Sequence, residues 1–535
     1  MLFPKISPPN PPSSPPFDDA AGCRRWLAGL PLANVLLAHG ELANQLGRLN
    51  GHKLDPRDRL AILETLREPL AFLQQERAKK YQLKPLPLDP LEEAAWNGVI
   101  SLWQTMEAGY RLCLPAYTAR GESEAGSVAR ITQRRLRYTG LQMMEHYRAY
   151  RQVPLELWQQ LHGLYAFAEE RGLGTHPVED ALNSQAESNH CAAAYAQALL
   201  TDLADPYRLT SRQLVLLERW LARWAGRVAV LPEPPRSSAP LIRVEVDLGG
   251  DAGPVAGEHP PMLTPRYLDT EQLALTFRKR IKALRNGDSP ERLGLGADCV
   301  QPGCETLLVS LYQHWCEVGI KRRTFGRHPG TAPAQVVAGM EAIHYFLSGE
   351  KPFRPPNEPA RLSRREMEDL AMYGRISSLT EKALAQQQGF ALETWLVLDE
   401  SALGFRLARR GDGLRLNHGQ LLAVRPEDSK GFILGVIQWL ESTVDRDLHA
   451  GVRALPGAPL AVAARPVPPD PGPFVQAFLL PEMTVLNQPE SLVLPGGWFQ
   501  PGRKLEIFSD KGEMVRLHEL IEAGNGYERV GFVRV

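Results

Sequence analysis

The chain has 535 residues, more than one hydrophobic core normally supports, so several domains are expected. Its 61 Lys and Arg balance its 61 Asp and Glu, which gives no reason to expect nucleic acid or an anionic membrane as the main partner. Six cysteines are too few for a disulfide scaffold, and the sequence shows neither an export signal nor a long apolar run. We therefore expect a cytoplasmic protein without membrane insertion.

The first 230 residues of the sequence predict a tail followed by helices. Residues 1–19 are rich in proline, which fixes an extended backbone and predicts a disordered tail. The next segment, 20–230, has apolar residues at three- and four-residue spacing. Asp55 and Pro56 supply a cap and a first-turn proline for one helix, which Pro69 is expected to kink or split.

Further helices in this segment each have an apolar stripe wide enough to pack on a neighbour. They are predicted at 91–112, 128–150, 155–171, 192–203 and 211–224. Together they predict an all-helical bundle or an irregular α-solenoid. The helix at 128–150 is dense in arginine, a pattern that could face RNA or an acidic protein but is more typical of a solvated face. Its arginines, with one just beyond, are Arg130, Arg134, Arg135, Arg137, Arg148 and Arg151.

A proline- and glycine-rich stretch, 231–265, predicts a linker with one short strand at 242–248. It is followed by a second helical block, 266–320, with helices expected at 270–284 and 305–318.

This second block contains a group of residues of the types that bind zinc. Cys299 and Cys304 are separated by four residues, and His314 and Cys316 follow on a predicted helix. These spacings do not match common zinc sites, so we expect buried, unmetallated cysteines. No metal or other cofactor is predicted.

The most informative motif lies between predicted strands at 395–398 and 405–407. It is Asp399-Glu400-Ser401-Ala402-Leu403-Gly404, and further strand candidates follow in order at 420–424, 435–440 and 451–455. This order resembles the PilZ domain, a small antiparallel β-barrel with a [D/N]xSxxG motif that binds the bacterial second messenger cyclic di-GMP. The resemblance covers roughly 390–457, so the chain is identified as an atypical, multidomain member of that family.

The resemblance implies roles for three of these residues. Asp399 would accept hydrogen bonds from a guanine, and Ser401 would bond to the base or to the backbone. Gly404 would permit a turn without a Cβ atom near the base. In the family, an RxxxR loop before the first barrel strand supplies the planar cations that suit phosphates and guanine edges.

Two segments match RxxxR, one from Arg323 to Arg327, with Arg322 beside it, and one from Arg361 to Arg365. The first precedes a predicted strand at 334–339, whereas the second leads into a predicted helix at 366–370. We therefore prefer the first segment, although the second remains an alternative.

This preference has a consequence for the spacing of the site. It leaves 71 residues, positions 328–398, between Arg327 and Asp399, and implies a helical insertion across roughly 362–388 within a barrel domain spanning 321–465.

The C-terminal part of the sequence predicts a small β module. A stiff proline-rich linker at 465–473 precedes it, and the module itself spans 474–535. Strands are expected at 478–480, 491–494, 504–508 and 530–535, with one helix at 515–523. The predicted class is thus α+β and multidomain: helices first, then the PilZ-like barrel, then the small β module.

The sequence contains no Walker A loop, GxSxG elbow, HExxH or dinucleotide fingerprint, so nothing in it argues for an enzyme. The leading hypothesis is a cyclic di-GMP-binding effector that couples the messenger to an unidentified protein partner. The alternative is a helical adaptor whose degenerate barrel does not bind nucleotide.

Overall fold

A computed structural model describes residues 15, 17–82, 84–236, 241–317, 328–356, 363–377, 380, 387, 389–467 and 472–535. The chain divides into two compact units, Met1–Lys84 with Leu88–Arg322, and Pro85–Pro87 with Arg323–Val535. The helices lie mostly in the first unit and the longer strands in the second, which confirms the α+β multidomain class. Apart from residues 15 and 17–19, the predicted tail lies outside the described residues.

Several helices of the first unit begin at a residue whose side chain caps the helix. The helices of this unit are α1 (Ala20–Ala28), α2 (Val35–Gly51), α3 (Pro56–Ala78), α4 (Pro90–Thr118), α5 (Ala125–Arg148), α6 (Leu155–Glu170), α7 (Cys191–Leu203), α8 (Ser211–Trp224), α9 (Glu271–Arg285) and α10 (Gly303–Cys316). The Asp55 carboxylate accepts a hydrogen bond from the Arg57 amide at 2.8 Å, as expected of a cap. Pro69 does not split α3, because the leucines on either side of it, Leu66 and Leu70, are fully buried and hold the helix in place.

None of the helices formed by the described residues is long and apolar enough to cross a membrane.

The predicted linker at 231–265 contains strands of a small sheet. Strands β1 (Ala229–Leu231), β2 (Val244–Asp247), β3 (Val255–Ala256) and β4 (Pro265–Asp269) pair in the antiparallel order β1-β4-β2-β3. Only β2 was predicted. β1 and β3 have three and two residues, too few for the alternation of apolar and polar side chains to mark a strand, and β4 buries only Leu268, so its pattern does not alternate.

Cysteines in the first unit are buried, but two of them are paired. Cys299 and Cys304 form a disulfide, which the sequence did not predict because the two were expected to be separate buried thiols. Cys316 is a free buried thiol, and burial raises its pKa to about 12. Among the residues that the structure describes, no group of three or more His, Cys, Asp or Glu side chains is placed to hold a metal ion.

The arginine-dense face of α5 is mostly not a solvated surface, so that prediction is wrong. The Arg134 side chain is only 2% exposed and pairs with Glu64 at 3.0 Å and with Asp180 at 3.2 Å. Arg135 pairs with Glu107 at 2.7 Å. Helical periodicity could not show this, because the acidic partners come from segments distant in sequence.

The second unit contains two barrels. The first is built from β5 (His328–Pro329), β6 (Pro333–Ala338), β7 (Glu393–Ser401), β8 (Gly404–Arg409), β9 (Leu421–Pro426), β10 (Ile433–Ser442) and β11 (Leu448–Ala454), with helices α11 (Met340–Leu347) and α12 (Arg364–Tyr373). Antiparallel pairs close a ring in the order β6-β7-β8-β11-β10-β9 and back to β6, and β5 pairs with the end of β7. The PilZ-like barrel is thus present.

The second barrel is closed in the order β12-β13-β14-β17-β16-β15. Its strands are β12 (Leu460–Pro466), β13 (Val475–Leu480), β14 (Ser491–Pro495), β15 (Lys504–Phe508), β16 (Gly512–Gly524) and β17 (Tyr527–Arg534). The helix predicted at 515–523 is wrong, because this segment lies within β16. Two register shifts, between Leu517 and Glu519 and between Leu520 and Glu522, interrupt the alternation that would have indicated a strand.

The two barrels share a hydrophobic core. Its buried members include Val337, Ile343, Leu421, Phe432, Leu434 and Leu455 from the first barrel and its helix, with Phe478, Leu480, Val493 and Tyr527 from the second. A separate cluster fills the interior of the second barrel, with Val515 and Val530 among its members. Burial of these side chains between the barrels stabilises them as one compact unit.

Candidate ligand-binding site

The [D/N]xSxxG motif forms the hairpin between β7 and β8. Ser401 ends β7 and lies opposite Gly404, the first residue of β8, so only Ala402 and Leu403 form the turn. The Leu403 amide donates a hydrogen bond to the Ser401 hydroxyl at 3.4 Å, and that hydroxyl donates to the Gly404 carbonyl at 3.5 Å. Of the two roles expected for Ser401, bonding to the backbone is the one that the turn shows.

Gly404 is required by the neighbouring strand. Its φ angle is +151°, and a Cβ atom at this position would lie 1.9 Å from the carbonyl oxygen of Val452 in β11. Real Cβ atoms do not approach a backbone atom so closely, and L side chains rarely adopt this φ. The nearest obstruction to a side chain here is the backbone of β11.

Asp399 lies two residues before Ser401, just after a register shift between Val397 and Asp399. It is half-buried, and it lies opposite Arg406 on β8 and opposite Pro329 on β5. The barrel therefore places Asp399 where three strands meet.

The preferred arginines, Arg322, Arg323 and Arg327, lie outside the described residues. The described chain resumes at His328, the next residue in the sequence, and His328 pairs with Glu400 of the motif. The strand pair β5–β7 therefore brings His328 to the motif, although 71 residues, 328–398, separate Arg327 from Asp399 along the chain.

The second arginine segment leads into a helix, as predicted. Arg361 lies outside the described residues, whereas Arg364 and Arg365 begin α12. The Arg364 side chain is 91% exposed and pairs with Glu368 at 3.0 Å, one helical turn away.

A cavity of about 870 Å³ opens beside the hairpin, between the two barrels. This volume lies within the range of roughly 300–1,000 Å³ typical of small-molecule sites. His328, Glu400 and Ser401 line one wall, and Asp399 is not among the lining residues. Phe405 and Phe432 provide apolar surface against which a planar base can pack.

Two arginines that the sequence did not indicate line the same cavity, Arg453 of β11 and Arg529 of β17. Arg453 pairs with Glu522, and its side chain is 38% exposed. Arg529 is buried, and burial lowers the pKa of its guanidinium, although an arginine remains protonated at neutral pH. Nothing local in the sequence marks them, because each reaches the cavity only through the packing of one barrel on the other.

Together, the barrel, its hairpin motif and the preceding arginine segment define a multidomain PilZ-domain protein. Three family models match the chain. They are "Cyclic-di-GMP receptor FimW, N-terminal domain" over residues 20–235, "Cyclic-di-GMP receptor FimW, middle PilZ domain" over 261–369, and "FimW C-terminal beta-barrel domain" over 462–535. The chain therefore belongs to the PilZ domain family.

One curated relative matches along most of the chain. The "Cyclic-di-GMP receptor FimW" of Pseudomonas aeruginosa is 22% identical over 537 residues, which cover 90% of this chain and 85% of that protein. No solved structure matches the chain. The middle family model spans both arginine segments and β6 but ends before Asp399, and the C-terminal model spans the strand that contains Arg529.

Proposed function

We propose that this protein is a cytoplasmic cyclic di-GMP effector that binds the nucleotide without transforming it. Its resemblance to a receptor of that name over most of its length supports the ligand. The observation that carries the proposal is the pairing of His328, the residue that follows the Arg323–Arg327 segment in the sequence, with Glu400 of the hairpin motif, at a cavity that both residues line.

The chemistry of the ligand fits this arrangement. Cyclic di-GMP presents two phosphates and two guanine edges. Arginine offers planar, multidentate donors for the phosphates and for the acceptors of guanine. The carboxylate of Asp399 offers an acceptor for guanine N–H groups, and the aromatic rings in the cavity offer stacking surfaces.

Nucleotide binding would act on a protein partner by a shift in population. A ligand held jointly by the arginine segment and the hairpin favours the arrangement of the chain in which the two are together. It can shift that equilibrium only by its difference in affinity for the two arrangements. The partner would recognise the favoured arrangement.

The alternative, an adaptor whose barrel binds no nucleotide, is favoured by one observation. Ser401 and Gly404 both have structural explanations, the first in the turn and the second against β11. Calorimetric titration of the full-length protein with cyclic di-GMP separates the two functions. A folded protein without measurable affinity would leave only the adaptor.

The arginine segment gives the first prediction. We expect Arg323→Ala and Arg327→Ala each to weaken cyclic di-GMP binding by about 1.5–3 kcal/mol, because each removes a charge-assisted contact to phosphate or guanine. Melting temperatures should stay close to that of the wild type. Calorimetry on each variant measures the loss.

Arg365→Ala is the matched control, because Arg365 belongs to the other RxxxR segment and is exposed on α12. It should leave affinity unchanged. If Arg365→Ala abolished binding while Arg323→Ala and Arg327→Ala did not affect it, the second segment would be the ligand loop.

The hairpin gives the second prediction. Asp399→Ala should weaken cyclic di-GMP binding by about 1–3 kcal/mol, because guanine donors would lose their acceptor on entering the site. The same titration, with the melting temperature measured in parallel, tests this. Unchanged affinity in a folded variant would remove Asp399 from the site.

A further inference from the structure

Arg529 is a buried cation without a buried anion to match it. Its side chain lies on the wall of the 870 Å³ cavity, and the residue is only 3% exposed. Its Nε donates to the Ser491 hydroxyl at 2.9 Å, and one terminal nitrogen, Nη2, donates to the Gln488 amide oxygen at 3.3 Å. Both acceptors are neutral, and no carboxylate among the described residues forms an ion pair with Arg529.

One carboxylate, that of Glu522, acts electrostatically on Arg529, but it is already engaged with other partners. Glu522 pairs with Arg453 and also accepts a hydrogen bond from the Tyr527 hydroxyl at 2.8 Å. Burial of a cation whose partners are all neutral is unfavourable in free energy. An anion that binds beside the cation offsets much of this unfavourable free energy. The other terminal nitrogen of Arg529, Nη1, makes no hydrogen bond to a described residue and is left for such an anion.

The position of Arg529 is fixed by packing. Tyr527, two residues before it on β17, belongs to the core that the two barrels share, and Val530, next to it, faces the interior of the second barrel. Arg529 therefore lies on the outer face of the second barrel, toward the first barrel. Arg453 reaches the same cavity from β11, where it pairs with Gly404 of the motif.

We infer that the second barrel is part of the receptor: Arg529, with Arg453 across the cavity, binds a phosphodiester group of the nucleotide whose bases lie at the first barrel. This inference rests on the proposed function. It assigns to the C-terminal barrel a direct part in ligand binding, so that the nucleotide bridges the two barrels.

Full-length Arg529→Gln and Arg453→Gln, titrated with cyclic di-GMP by calorimetry at low and high salt, test the inference. Each variant should bind roughly ten- to a hundredfold more weakly than the wild type, as expected for one charge-assisted contact. Each should also show a smaller loss of affinity as salt increases, because one charge fewer faces the phosphate.

Arg534→Gln is the matched control. Arg534 lies on the same strand, but it is exposed, pairs with Glu490 and Glu513, and does not line the cavity. It should bind like the wild type. Thermal melting of every variant shows which of them are folded.

The outcomes separate the two proposals. If the wild type binds and the folded Arg529→Gln and Arg453→Gln variants bind equally well, the inference is wrong and the receptor function stands. If the wild type does not bind cyclic di-GMP, both the receptor function and the inference are wrong. If Arg529→Gln does not fold, the more exposed Arg453 decides, and unchanged affinity in Arg453→Gln counts against the inference.

Discussion

Gly404→Val is expected to destabilise the second unit by about 3 kcal/mol or more, since it combines a steric overlap with backbone strain. The Cβ atom would lie 1.9 Å from the Val452 carbonyl oxygen, which is held in the β8–β11 pairing and cannot move without opening the barrel. The φ of +151° adds strain for a β-branched residue. Urea unfolding of the full-length protein, followed by a probe in the barrel, measures the loss.

Gly411→Ala separates these two causes. Gly411 is also in the first barrel and has a positive φ of +74°, but a Cβ atom there has nothing within 4 Å. The Gly411→Ala substitution should therefore lower the free energy of unfolding by about 1 kcal/mol, through backbone strain alone. A Gly404→Val protein no less stable than Gly411→Ala would contradict the close approach of β11 to the hairpin.

The order of elements in the first barrel could be predicted because its signals are local. Each strand from Trp395 to Leu455 carries its own apolar pattern, and the motif fixes the hairpin between β7 and β8. Local signals failed at β16, where two register shifts break the alternation, and at the short strands β1 and β3. The sequence therefore indicated the first-barrel strands from β7 to β11 and missed irregular elements, together with some regular ones such as β12 and α11.

The site was less predictable, because it depends on contacts between distant segments. The choice of Arg323–Arg327 rested on the strand that follows it, but nothing in the sequence showed that His328 would pair with Glu400. Arg529 was not identified at all. An arginine on a strand of the second barrel looks like any other surface charge until the packing of that barrel places it on a cavity wall.

A second large loss of stability is expected in the helical unit, on substitution of Asp180. Its carboxylate is fully buried and lies 2.5 Å from Arg67, 3.2 Å from Arg134 and 3.7 Å from Arg137. Removal of this one anion by Asp180→Ala leaves three arginines without it, although Glu64 still pairs with Arg67 and Arg134. We expect a loss of about 3–5 kcal/mol in the free energy of unfolding, the usual cost of breaking a buried ion pair.

The control is an exposed pair of the same kind. Asp298 pairs with Arg219 at 2.5 Å, but the two side chains are 49% and 40% exposed. Asp298→Ala should cost no more than about 1 kcal/mol, because water replaces the lost partner. Equal destabilisation by the two substitutions, measured by denaturant unfolding, would show that burial of Asp180 does not matter.

The pH dependence of this loss provides an independent check. Burial disfavours the ionised form of Asp180, but the charges of Arg134, Arg67 and Arg137 outweigh it and lower the pKa of the carboxyl below its ordinary value. A carboxyl with a lowered pKa stabilises the fold fully above its unfolded-state pKa of about 3.9, and this contribution is lost as pH falls through the folded-state pKa. The difference in unfolding free energy between wild type and Asp180→Ala should thus be constant near neutral pH and shrink below about pH 4. A difference that grew on acidification would mean that Asp180 is protonated in the folded protein, and the arginines around it would then need another anion.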